Sequence, residues 1–281
     1  MGKYSRPNVK EAFEIYLGRS IEQMPRLIAD GRVPINVAQL MQRQLDVINS
    51  DAEVKAFWMD NYFHTGDAVV YHPGGDGRVK IVLDSQTLRE MTPESPRNGG
   101  ALVLTEDVYR ALQGEEFKKG KLGKTNTPLS RAKVKAHPVW KTLARDQRLL
   151  NDYADHIFAE GKQRFGYDTA MGVYPHSTQG NTPEMRVWYV GRLVGRSFVD
   201  GRGNLLDEYS RFVGIAPEAQ SAKILGAGKN TIIGLNDAKI SKILYPKTHA
   251  LRSQLEIALL VEDYEQAASL RDKINYLGEP L

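Results

Sequence analysis

The sequence predicts an α+β fold with antiparallel strand pairing, on three observations. Apolar residues recur at helical spacing through residues 8–63 and again from Pro138 to Arg164. Two other stretches are rich in β-branched and aromatic residues, and each is broken by a glycine-rich turn. The resulting order α, β, α, β, α lacks the regular alternation of a doubly wound sheet. The expected architecture is a helical N-terminal region, two antiparallel β-hairpin regions with an intervening long helix, and a C-terminal helical hairpin. Residues 1–225 form a mixed α+β body, 226–247 a linker or short helix, and 248–281 the hairpin.

In the N-terminal region, Asn8 caps a first helix with Ala12, Phe13, Ile15, Tyr16 and Leu17 on its apolar face, ended by Gly18. A second helix runs from Ile21 to Asp30 and closes at Gly31. Pro34 sits near the start of a third, whose stripe is Val37, Leu40, Met41, Leu45 and Ile48. Asn49-Ser50-Asp51 breaks the pattern and caps a fourth helix containing Val54, Phe57, Trp58 and Tyr62. The period then changes. Ala68–Tyr71 and Val79–Leu83 flank a glycine-rich turn and read as a β-hairpin. A short strand at Ala101–Leu104 precedes a helix capped by Thr105, with Glu106 and Asp107 in its first turn.

Residues 114–137 read as a basic loop with a short helix after Ser130, and a long helix follows from Pro138 to Arg164. The second β region pairs Met185–Val199 with Leu205–Ile215 across a turn at Asp200–Asn204. Pro217 opens a short helix. Gly226, Gly228 and Gly234 mark a join.

Composition narrows the function. The 281 residues are 41% hydrophobic and 26% charged, ordinary for a globular protein. There is no cysteine, which excludes disulfides, thiolate nucleophiles and Cys-ligated zinc or iron–sulfur clusters, and fits a cytoplasmic setting. Met1–Lys10 is polar, and no apolar run reaches the ~18 residues a membrane span requires. No cofactor is implied. The net charge of +4 permits an acidic partner. From Lys118 to Arg148, ten lysines and arginines face one acid, Asp146. Lys118, Lys119, Lys121, Lys124, Arg131, Lys133 and Lys135 are the candidate nucleic-acid contacts, and a solvated loop is the plainer reading.

The most specific pattern lies at Leu251–Leu277. Leu251, Leu255, Ala258 and Leu259 stripe one short helix; Tyr264, Ala267, Ala268, Leu270, Ile274 and Leu277 stripe a second. The Glu262-Asp263-Tyr264-Glu265 turn, the Ala267-Ala268 pair, Leu270-Arg271-Asp272 and the trailing Ile274 and Leu277 resemble the UVR motif of UvrB and UvrC and of quality-control factors of the McsA and ClpC kind. The resemblance implies a docking hairpin rather than a catalytic centre. So short a hairpin is marginal alone and must bury its apolar face against its own body or against a partner. Tyr264, Ala267, Ala268, Leu270, Arg271 and Ile274 are therefore the candidate docking residues for a protein partner or a second copy. Two segments, Ala136–Asp146 and Gly214–Ala219, resemble uncharacterised archaeal proteins, and no function follows from them.

Other motifs are weaker. Gly226-Ala-Gly228-Lys229 fails as a phosphate loop, because Lys223 stands where a glycine is needed and Asn230 follows the lysine. Asp152 and His156 share a helix face without a second ligand pair. Arg186, Arg192 and Arg196 form a basic stripe if their strand is regular. The expected function is a binding or adaptor protein. The alternatives are an enzyme acting on a phosphorylated or nucleotide substrate through His64, Asp67, Arg192 and Arg196, and a self-associating structural protein.

Overall fold

A computed structural model describes residues 12–74, 77–122, 126–176 and 180–217. The C-terminal hairpin with its six docking candidates, Asn8, Lys124 and most of the helix expected after Pro217 lie outside the described residues. The chain order opens with β1 (Phe13–Leu17), α1 (Ser20–Ala29), β2 (Val33–Pro34), α2 (Val37–Asp46), α3 (Ala52–Met59), β3 (Phe63–Tyr71) and β4 (Arg78–Val82). It continues with α4 (Gln86–Arg89), β5 (Arg97–Asn98), β6 (Ala101–Val103), α5 (Glu106–Ala111), β7 (Glu115–Lys118) and a 3-10 turn at Lys119–Leu122. Then come α6 (Arg131–Ala136), α7 (Pro138–Ala144), α8 (Gln147–Phe165), β8 (Val173–Tyr174), β9 (Glu184–Val190), β10 (Val199–Asp200) and β11 (Arg211–Ile215).

The fold has helices and one mixed sheet. Its strands run β1-β11-β3-β9-β10-β8; β2 extends β11, β4 and β7 continue from β3, and β6 and β5 from β9. The β11–β3 and β10–β8 pairs are parallel, so the expectation of wholly antiparallel pairing is corrected. Residues alternate between two cores, as the pleat dictates. One face of the sheet packs Trp58, Trp140, Tyr153, Ile157 and Trp188 beneath α2, α3, α7 and α8. The other packs Ile21, Met24, Leu27, Leu88 and Tyr109 of α1, α4 and α5 against Val70, Met185, Val187 and Phe212.

Four further expectations are corrected. Phe13–Leu17 is a strand, paired over all five residues with Arg211–Ile215. Its run of Phe, Ile, Tyr and Leu suits either period, and the long-range ladder decides. The long helix is two, because Arg145 takes a left-handed conformation (φ 60°) and Asp146 caps α8 by accepting from Leu149 N. The basic loop contains β7, laid antiparallel on β4. Asp200–Asn204 does not turn a hairpin. The chain folds back earlier, through residues 191–198, to lay β10 on β9. It then crosses to place β11 between β1 and β3. β11 is nearly all buried, which suits it to an interior position.

The centre of the sheet is an irregularity. Between His64 and Ala68 the register of β3 on β9 shifts. Before the shift, one edge of β3 meets β11 at His64; after it, the same edge meets β4. The residues released from the ladder find other partners. Thr65 Oγ1 donates to Trp188 O at 2.9 Å, and Gly66 N donates to Ile35 O at 2.8 Å. Asp67, fully buried, accepts from Val37 N (2.9 Å) at the start of α2, from Asp84 N (2.9 Å) after β4, and from the Arg145 guanidinium (2.7 Å) between α7 and α8. Burial pushes the Asp67 carboxyl above its ordinary value against the pull of Arg145.

Asp67→Ala leaves two backbone N–H groups without their acceptor and the Arg145 guanidinium with Asp84 alone. It is expected to cost about 3–5 kcal/mol in urea-unfolding free energy. A loss under about 1 kcal/mol would remove Asp67 from this central role.

Candidate binding surface

The strand registers align one residue from each of six strands in a single row. Tyr16 faces Phe212, Phe212 faces His64, His64 faces Tyr189, Tyr189 faces Asp200 and Asp200 faces Tyr174. Paired residues project to the same side of a sheet, so the row is continuous. It is buried at the Tyr16 end and half-buried at Tyr189 and Tyr174. His64 stacks on Tyr189 with ring centres 5.5 Å apart. Its Nδ1 lies 2.8 Å from Ser20 Oγ, where α1 begins. Burial pushes the imidazole down to about 3, so at neutral pH it is an uncharged packing ring and not a proton carrier.

Toward the open end, the row gathers aromatic rings and arginines. Tyr189 meets Tyr62 at 6.0 Å and Phe198 at 5.9 Å; Phe198 meets Tyr174 at 5.0 Å. Arg211 lies 5.5 Å over Tyr62 at one end of the series, and Arg202 lies 5.3 Å over Tyr174 at the other. Both distances are within cation–π range. Asp200, buried beneath, accepts from Tyr189 Oη (2.9 Å) and from the Arg202 guanidinium. Gly191 makes the turn workable: a side chain there would stand 2.8 Å from the Phe198 ring. Tyr62 Oη donates to Tyr209 O, which holds the strongly exposed Tyr209 (72% exposed) beside this patch. On the same 191–198 turn, Arg196 donates to Thr169 and lies 5.2 Å over Tyr167. Among the described residues neither Arg196 nor Arg211 forms an ion pair with a carboxylate.

Sequence reasoning singled out Arg186, Arg192 and Arg196 as a stripe. The structure corrects this, because only Arg186 is in a strand. It is buried, donating to Gly99 O and Arg202 O. The aromatic partners of Arg202 and Arg211 were missed, since they come from residues 174 and 62, far away in sequence. The proposed enzyme set does not converge. His64 faces Ser20, Asp67 faces α2 and Arg145, and Arg192 and Arg196 stand in the turn after β9. Among the described residues no cluster of three histidines or carboxylates could hold a metal.

The candidate anion contacts are placed apart. Lys118 is exposed at the end of β7; Lys119 and Lys121 are on the 3-10 turn. Arg131, Lys133 and Lys135 are on α6, where Arg131 (3.6 Å) and Lys135 (2.7 Å) share Asp155 of α8. Arg131 also lines a shallow cleft of about 480 Å³ with Phe158, Lys162 and Tyr167.

Two comparisons bear on this molecule. A solved structure described as the accommodation of massive sequence variation in Nanoarchaeota by the C-type lectin fold is similar to 74% of this chain and 99% of its own. The identity is 14% and the TM-score 0.55. At that identity the likeness is one of fold. No curated protein matches the chain. Residues 247–279 match the family model described as the UvrB/uvrC motif. This segment carries a UVR motif. All six docking candidates, from Tyr264 to Ile274, lie within the UVR motif. The UVR motif begins 30 residues after Pro217, the last described residue.

The neutral His64 makes stability acid-sensitive. Its ring binds a proton near pH 6.5 when unfolded but only near 3 when folded, so the unfolded state takes up protons first as pH falls. Below about pH 6.5 this group removes up to about 1.4 kcal/mol per pH unit. His64→Gln is expected to flatten the stability–pH slope between pH 6.5 and 4.5 in denaturant titrations. An unchanged slope would show that His64 protonates freely in the native state.

Proposed function

We propose that this chain is a binding adaptor. Its C-terminal UVR hairpin docks a protein partner through Tyr264, Ala267, Ala268, Leu270, Arg271 and Ile274, while the sheet body contacts nucleic acid. The observation that carries the reading is the UVR motif at residues 247–279. Such a motif is too small for a core of its own and covers its apolar stripe against another surface. The segment Leu251–Leu277 has three basic and five acidic residues, so its partner surface is expected to be basic or apolar. In the body, Lys118, Lys119, Lys121, Lys124, Arg131, Lys133 and Lys135 supply electrostatic attraction to phosphates.

Affinity capture with the full chain and with a variant lacking residues 248–281 tests the docking. A defined partner retained by the first and lost by the second is expected, with Leu270→Asp and Ile274→Asp reproducing the loss in the full chain. Equal capture by both would reject it. If the deletion instead converts a dimer to a monomer in sedimentation without releasing any other protein, the hairpin serves self-association. For the body, Lys118→Glu with Lys133→Glu is expected to weaken a salt-sensitive shift of nucleic acid in a gel at least several-fold.

A further inference from the structure

We propose that the arginine–aromatic surface over β8, β9 and β10 is a grip for single-stranded nucleic acid. Bases lie against Tyr62, Tyr174, Phe198 and Tyr209, and phosphates are met by Arg211. The inference deepens the nucleic-acid reading above and rests on it, but uses different residues.

Three features point to this ligand. First, four half-buried or exposed rings occur together, linked by centroid distances of 5.0 to 6.0 Å or, for Tyr209, by the hydrogen bond from Tyr62. Every base has a π-face, so a group of partly exposed rings accepts successive bases without regard to sequence. Second, the series ends in a guanidinium at each side. Arg211 has no carboxylate partner among the described residues, so phosphate can approach it without displacing an ion pair. Third, the rings are held in place. Phe198 rests on Gly191, Tyr189 is fixed by Asp200, and Tyr62 is fixed by its bond to Tyr209 O. Rings already ordered lose little freedom on binding.

A duplex keeps its bases stacked inside and cannot offer their faces to these rings, whereas a single strand can. An acidic peptide would use the arginines but leave the rings idle.

The test is fluorescence anisotropy of an end-labelled single-stranded oligonucleotide of about 12 residues, a length within the range one small binding fold covers, mixed with the full chain. Binding that falls steeply between about 50 and about 200 mM salt is expected. Tyr209→Ala and Arg211→Ala alter exposed or half-buried side chains and should preserve the far-ultraviolet circular dichroism. Each is expected to weaken binding about 5-fold or more, and Arg211→Lys should recover part of the loss. The duplex of the same sequence should bind more weakly, and polyglutamate should displace the probe poorly. Absence of binding, indifference to both substitutions, equal affinity for the duplex, or efficient displacement by polyglutamate would each overturn the proposal. If Lys118→Glu with Lys133→Glu abolishes binding while Tyr209→Ala and Arg211→Ala leave it intact, the broader nucleic-acid reading stands and this surface is excluded from it.

Discussion

The architecture depends on one buried carboxylate. Asp67 stands where β3 stops pairing with β11 and begins pairing with β4, and it accepts from three separate elements. A charge taken out of water is tolerated only when its lone pairs are used. Here they hold the first turn of α2, the corner after β4 and the break between α7 and α8. The left-handed Arg145 belongs to the same arrangement. Its backbone conformation ends one helix, and its side chain also reaches Asp84. The helices above one face of the sheet are thus fastened to the irregularity in its middle.

That dependence explains what could be read in the sequence. Helices with local instructions were legible: α2 has its reciprocal cap between Asn36 and Gln39, α3 has Asp51, α5 has Thr105, and α1 ends before Gly31. The β3–β4 hairpin was legible because its turn is local. Phe13–Leu17 was read as a helix because its partner is nearly two hundred residues away. The split of the long helix went unseen because Arg145 answers to Asp67, 78 positions earlier. Pairing of Met185–Val199 with Leu205–Ile215 was inferred from a turn-rich sequence at Asp200–Asn204. Those residues instead serve crossing contacts, such as Gly201 N to Tyr174 O.

The candidate surface shows the same division. The arginines at positions 192, 196, 202 and 211 could be counted in the sequence, but their neighbours could not. A stripe along one strand was the local reading. The structure disperses the arginines and sets three of them over rings from distant segments, where a guanidinium keeps its charge while resting on an apolar face. The UVR motif is the opposite case. It is recognised from a short contiguous run of residues.

The placement of β11 has a consequence for biosynthesis. β1 and the first part of β3 wait for a strand that leaves the ribosome only after about two hundred other residues have emerged. Until then their backbone edges and apolar side chains have no native cover, and closure of so long a loop is slow. A nascent chain halted before Arg211 would expose an adhesive edge at both strands. Completion of the body is therefore a single late event, set by the arrival of five residues.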